Sequence, residues 1–192
     1  MAAVAVALVA LLFSADAPDP YARFLHWRED NAAAVADYGR YLAGQGVGSV
    51  VPMPQLLRTA RSWRACGEEF AVPPRDSWPA IVPTLRLLAD LRRRGLLAGR
   101  SQVDSAWRSP RLNACAGGAP RSRHVTNGAL DLEWEAPPEA VEALCDAWLR
   151  EGKAHAWGLG FYSPTRIHLD TAGWRTWGTD HHWPTSLCFA AG

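Results

Sequence analysis

RSRHVTNGALDLEW, residues 121–134, is the stretch that decides how this chain reads. Its second half alternates. Leu130, Leu132 and Trp134 fall on one face of an extended segment, and Ala129, Asp131 and Glu133 fall on the other. A period of two marks a strand with one apolar face. The first half is a turn. Asn127 and Gly128 both tolerate positive φ, so a loop carrying His124 can run through them into a strand carrying Asp131. Both side chains then reach the same side.

Working outward, Arg166–Asp170 repeats the pattern. Ile167 and Leu169 turn inward, while Arg166, His168 and Asp170 share the other face. Gln102–Trp107 alternates too, with Val103, Ser105 and Trp107 on one face. Helices flank these strands. Residues 21–44 show helical spacing and end in GQGVG, a glycine stop. Residues 84–97 form a second helix, with Leu85, Leu87, Leu88 and Leu91 on its apolar face and Arg92–Arg94 as a solvated end. Pro138 opens a third, whose stripe is Val141, Leu144, Cys145, Trp148 and Leu149, and Gly152 ends it. The proline-rich residues between 50 and 83 suggest an irregular wrapping segment with short helices. The expected fold is α+β, with N-terminal helices packed on a small, mostly antiparallel sheet. His124, Asp131 and His168 converge above one face of that sheet.

The 192 residues suit one domain with a real core, 48% of them hydrophobic and 20% charged. Residues 1–13 are apolar, and Ala15-Asp16-Ala17 follows as an A-x-A cleavage site. This reads as an export signal over residues 1–17; an uncleaved anchor or a buried helix is the alternative. The run is too short for a comfortable span, which needs roughly 20 residues. We therefore expect an exported protein, periplasmic or secreted, with no stable membrane span after processing, and monomeric. Residues 18–83 form an N-terminal extension and residues 84–192 the core. Four cysteines, Cys66, Cys115, Cys145 and Cys188, fit export and allow three pairings. Net charge is +1, and the basic residues form no long run. That argues against nucleic acid as the main partner. Ten tryptophans fit a solid core, and some could line a polymer-binding groove.

Two histidines and a carboxylate are a usual set for a hydrolytic zinc site, which keeps one position open. His124, Asp131 and His168 are that set here, with a satisfied structural His–Asp pair as the alternative. SAWRSPRLNACAGGAPRSRHVTNGALDL resembles the core of the zinc D-Ala-D-Ala carboxypeptidases, the VanY-like, LAS-type metallopeptidases. Ser105, Trp107, Arg108, Ser109 and Asn113 match the family's first block, and Ser122, His124, Ala129 and Asp131 its second. GLGFYSPTRIHLD is similar to the third and offers His168.

The resemblance spans about residues 84–178. It implies a LAS/hedgehog-like fold and Zn2+ held by His124, Asp131 and His168. It implies substrate binding by Arg108, Ser122 and Asn113, with peptidoglycan stem peptides as the partner. Arg108 would grip a C-terminal carboxylate through paired hydrogen bonds. Ser122 would chiefly order the His124 loop.

Two departures matter. Asn127 stands where the family often has glycine, three positions after His124, and it too tolerates the left-handed turn. The second is more serious. Relatives place an acid three positions before the last histidine or a histidine two before it, and Thr165 and Arg166 stand there instead. A hydrolytic site needs a base. Asp170 is one candidate, with an orienting role as its alternative; Glu133 bears the same relation to Asp131, and the identity of the base stays open. Arg166 is the candidate oxyanion stabiliser. His155, His181 and His182 read as exposed loop histidines.

Overall fold

The computed structural model describes residues 19–97, 101–135 and 137–189. The apolar leader and its cleavage site lie outside the described residues. In chain order the elements are α1 (Pro20–Gly44), α2 (Met53–Leu56), α3 (Trp63–Cys66), α4 (Trp78–Arg93), β1 (Ser101–Ser105) and α5 (Pro110–Cys115). Then come β2 (Ala129–Trp134), α6 (Pro138–Glu151), β3 (Gly158–Ser163), β4 (Arg166–Asp170) and β5 (Arg175–Trp177).

Proline opens α1 within its first turn, where a missing N–H costs nothing. The helix closes where Gly46 takes φ 73°, letting the N–H groups of Gly46 and Val47 cap the carbonyls of Ala43 and Leu42. Helix α4 begins six residues earlier than the sequence reading. Pro83, the last of the prolines assigned to the irregular segment, sits inside it with an exposed ring. Its backbone penalty is offset because Trp78, Ile81 and Val82, in the turns before it, are all buried. The boundary drawn between residues 83 and 84 thus falls within a helix. Residues of α1 and α4 share one core with the sheet.

The strands form one mixed sheet in the order β1-β2-β4-β3-β5. All pairs are antiparallel except β3 with β5. One face packs on the helices through Val103, Leu130, Leu132, Trp134, Ile167 and Leu169. The other face carries the polar residues. Two β-bulges interrupt it. Val103 pairs with Leu132 but Ser105 with Asp131, leaving Asp104 as the extra residue of β1. Phe161 pairs with Ile167 but Ser163 with Arg166, leaving Tyr162 extra in β3. The first bulge corrects the expected alternation, since Ser105 lies opposite Asp131 and not on the face of Val103. A bulge bends the strand and re-aims the side chain at it.

Two further expectations change. Leu149 is 47% exposed, and Ala147 takes its place in the α6 stripe. Arg92 is not solvated: it donates to the carbonyl of Val50 and to Ser101. Arg93 and Arg94 pair with Asp90, and Arg94 also with Glu151. The cysteines pair as Cys66–Cys115, tying α3 to α5, and Cys145–Cys188, tying α6 to the C-terminal segment. Among the described residues no helix is long and apolar enough to cross a membrane.

Candidate metal centre

His124, Asp131 and His168 meet above the polar face of the sheet, and all three are buried. The register explains two of them, because Asp131 and His168 are direct cross-strand partners on β2 and β4. His124 arrives from the loop before β2. That loop turns at Asn127, whose φ is 57°, so Asn127 takes the left-handed position of the Asn-Gly pair.

Three atoms converge. His124 Nε2 lies 3.0 Å from Asp131 Oδ1 and 3.2 Å from His168 Nδ1. His168 Nδ1 lies 3.0 Å from the same carboxylate oxygen. Each opposite atom is anchored. His124 Nδ1 lies 2.6 Å from the carbonyl oxygen of Ala106. A carbonyl only accepts, so Nδ1 carries the proton and donates it. His168 Nε2 lies 2.8 Å from Asp170 Oδ2, which sets its proton the same way. With both rings neutral, three lone pairs point at one another and no proton lies between them. The centre needs one positive charge where they meet.

The titration of the three groups agrees. Burial lowers the pKa of His124 despite Asp131. Burial would also lower that of His168, but hydrogen bonds to Asp131 and Asp170 outweigh it and raise the pKa. Burial would raise Asp131, yet the two histidines hold its carboxyl well below the usual range. One extra proton, or a metal cation, satisfies the set. Around a tetrahedral zinc at about 2.0–2.1 Å, ligand atoms stand roughly 3.4 Å apart. The observed triangle is within a few tenths of that, so residues and group fit.

Asp170 is on the far side of His168 from the converging atoms. Its Oδ2 also pairs with Arg175 Nη2 at 2.5 Å, and its Oδ1 accepts from the Ala172 N–H. This is the orienting position and not that of a base beside the convergence point. A Cβ at Gly158 would come within 2.7 Å of the Asp170 carboxylate, and one at Gly160 within 2.2 Å of Trp177. These two glycines of β3 make room for Asp170 and for the indole that packs on His168, 5.0 Å between ring centres.

The sequence-derived substrate residues separate. Arg108 is buried and committed. Nη2 donates to Asp131 Oδ2 at 2.6 Å and to Ser105 Oγ at 2.7 Å, and Nε donates to Thr59 O at 3.2 Å. It braces the free oxygen of a candidate ligand. Ser122 Oγ accepts from the His124 N–H at 3.3 Å, the ordering contact expected of it. Asn113 is 3% exposed and is no part of the pocket wall; its amide donates to Ala119 O and holds the loop below His124. Arg166 is on the wall, its Cζ 5.5 Å from the centre of the Tyr162 ring. Glu133, His155 and His182 are exposed. His181 is exposed as well, but at the pocket rim.

The pocket over this face has a volume of about 830 Å³. Six arginines line it, Arg61, Arg108, Arg121, Arg123, Arg166 and Arg175, against two carboxylates, Asp104 and Asp131. Sequence reasoning missed Asp104 and Tyr162. Tyr162 OH donates to Asp131 Oδ1 at 3.3 Å, and burial together with the Asp131 charge raises its pKa and keeps that proton in place. Both are bulge residues, and alternation carries no signal for a bulge.

The family model described as Peptidase M15 matches residues 57–170, more than half of the chain. The chain belongs to the peptidase M15 family. M15 peptidases are zinc metallopeptidases, a family that includes the VanY D-Ala-D-Ala carboxypeptidases. The matched segment contains His124, Asp131 and His168, the set that could hold a metal ion. It begins well before residue 84 and includes Thr59, whose carbonyl holds Arg108. No curated protein and no solved structure matches this M15 chain.

Proposed function

We propose that this M15 protein is an exported zinc-dependent D-alanyl-D-alanine carboxypeptidase that trims peptidoglycan stem peptides. The observation that carries the metal is the meeting of three lone pairs with both histidine tautomers set from behind. His124, Asp131 and His168 would hold the zinc. When bound, it supplies Lewis-acid chemistry that activates water and polarises a peptide carbonyl.

The chain's own residues do the rest. Ala106 and Asp170 fix the two rings, and Arg108 fixes Asp131. The Tyr162 hydroxyl donates to Asp131 Oδ1 and helps hold that carboxylate in place. A pocket with six guanidinium groups favours an anionic peptide end. Because Arg108 is committed to Asp131, the terminal carboxylate falls to Arg121 and Arg123, which are exposed on the loop carrying His124 and form no ion pair among the described residues. Two disulfides fit an oxidising compartment, which supports export.

A second reading is a non-catalytic wall-binding module of the same fold, or an endopeptidase. Thr165 and Arg166, at positions where relatives carry an acid or a histidine, favour the module.

The test is release of D-alanine from a pentapeptide ending in D-Ala-D-Ala, with and without chelator, alongside metal analysis. We expect one D-alanine per peptide, lost with chelator and in His168→Ala, which should also lose stoichiometric zinc. Zinc-loaded protein that releases no D-alanine would overturn the carboxypeptidase. Cross-linked muropeptides would then separate an endopeptidase from a binding module.

A further inference from the structure

Next to the metal centre, the pocket wall carries two charged groups that the fold leaves unsatisfied. Asp104 is the extra residue of the β1 bulge, beside the Ser105–Asp131 pair. Its side chain is 12% exposed, and its Oδ2 is buried without a hydrogen-bond partner. Arg61 Nε stands 3.8 Å away, beyond hydrogen-bond distance, on a side chain that is half exposed. Arg166 opens β4, and its Nε is also buried without a partner. It forms no ion pair among the described residues and stacks over Tyr162.

The two groups lie on either side of β2. Arg166 is opposite Glu133, whose own carboxylate is exposed and turned toward Arg61 at 3.9 Å. Arg166 is near enough for its charge to act on Asp104, yet no ion pair joins them. A carboxylate without a donor and a guanidinium without an acceptor therefore face one pocket. Buried polar atoms left this way are costly, and native folds rarely keep them without a reason.

We propose that Asp104 and Arg166 form a subsite for a free amino-acid head group, an ammonium and a carboxylate on one carbon. The ammonium meets Asp104, and the carboxylate meets the guanidinium of Arg166. A neutral peptide amide could supply a donor and an acceptor, but it would leave Arg166 without an ion pair and Asp104 with only Arg61 at 3.8 Å, so the two ions favour a zwitterion. Burial, and after it the nearby Asp131 charge, pushes the Asp104 carboxyl up to about 6. The subsite rests on the peptidase reading for its meaning. A stem peptide carries such a head where the residue before the terminal D-alanines is a diamino-dicarboxylic acid with its distal end free. Lysine at that position lacks the carboxylate, and a cross-linked residue lacks the ammonium.

Three peptides ending in D-Ala-D-Ala test it. The preceding residue is 2,6-diaminopimelate with a free distal head, the same residue N-acetylated at that head, or lysine. The full chain is used, with Kd measured by calorimetry on metal-free protein and kcat/KM on zinc-loaded protein. The free-head peptide should bind at least tenfold more tightly than either of the others. Asp104→Asn should bring the ratio of free to acetylated peptide close to one, and Arg166→Gln should do so for the ratio of diacid to lysine. Equal Kd for all three peptides on the unmodified chain overturns the subsite, whether or not it cleaves them. Variants that keep the original ratios overturn it too. Selective binding without cleavage supports the subsite and removes the peptidase reading instead.

Discussion

Two neighbouring parts of one sheet face treat their polar atoms in opposite ways. At the candidate metal centre each candidate ligand is held from behind: His124 by Ala106, His168 by Asp170, Asp131 by Arg108. Beside it, Asp104 and Arg166 each keep a buried atom with no partner. The contrast separates two tasks. Holding a metal needs ligand atoms fixed within tenths of an ångström, so the fold supplies the outer contacts itself. Receiving a charged ligand needs charge that is still available, so the fold withholds the partner. Satisfaction marks the first task, and its absence marks the second.

The largest effect that would break this contrast lies at Arg108. Arg108→Ala leaves Asp131 without its buried counter-ion, and we expect a loss of about 3–5 kcal/mol in metal-free protein, read by denaturant unfolding. A loss below about 1 kcal/mol would mean that Arg108 braces nothing and is available to substrate.

Next is Asp170→Ala. Removing the acceptor behind His168 frees the ring and its tautomer, and zinc affinity should fall about 10–100-fold in a chelator competition. Unchanged affinity would put Asp170 outside the metal's support.

The smallest effect has the opposite sign. Folding raises the Asp104 carboxyl from an ordinary 3.8 to about 6. The folded chain then holds this proton more tightly than the unfolded one, so stability from this group falls as pH rises from about 4 to about 6. Asp104→Asn should stabilise the protein at pH 7 by about 1–3 kcal/mol and by much less at pH 4. Thermal unfolding at the two pH values checks it. A destabilised variant at pH 7 would show that Asp104 gains more from Arg61 and Arg166 than its burial costs.

Much of this site was legible before any fold was known. Asp131 and His168 stand in alternating segments whose apolar members, Leu130, Leu132, Ile167 and Leu169, are at most 1% exposed. That alternation places the two ligands on one face, and Asn127 marks the turn that returns His124 to it. The roles of Arg108 and Asn113 were less legible. A motif identifies a residue type worth keeping, but a guanidinium that grips a substrate and one that braces Asp131 look alike in sequence. Helix α4 was read short because Pro83 is a local penalty, while the burial that overrides it is a sum over distant contacts.

The sequence by itself determined the α+β class, the apolar and polar faces of β2 and β4, and the His124–Asp131–His168 set. Those follow from periodicity and residue chemistry, which are local. Tertiary structure alone decided the cysteine pairing, the commitment of Arg108, the orienting place of Asp170, and the entry of Asp104 and Tyr162 into the pocket. The last two depend on bulges, where one strand gains a residue relative to its partner. A bulge is a relation between two strands, so no period within either one can announce it.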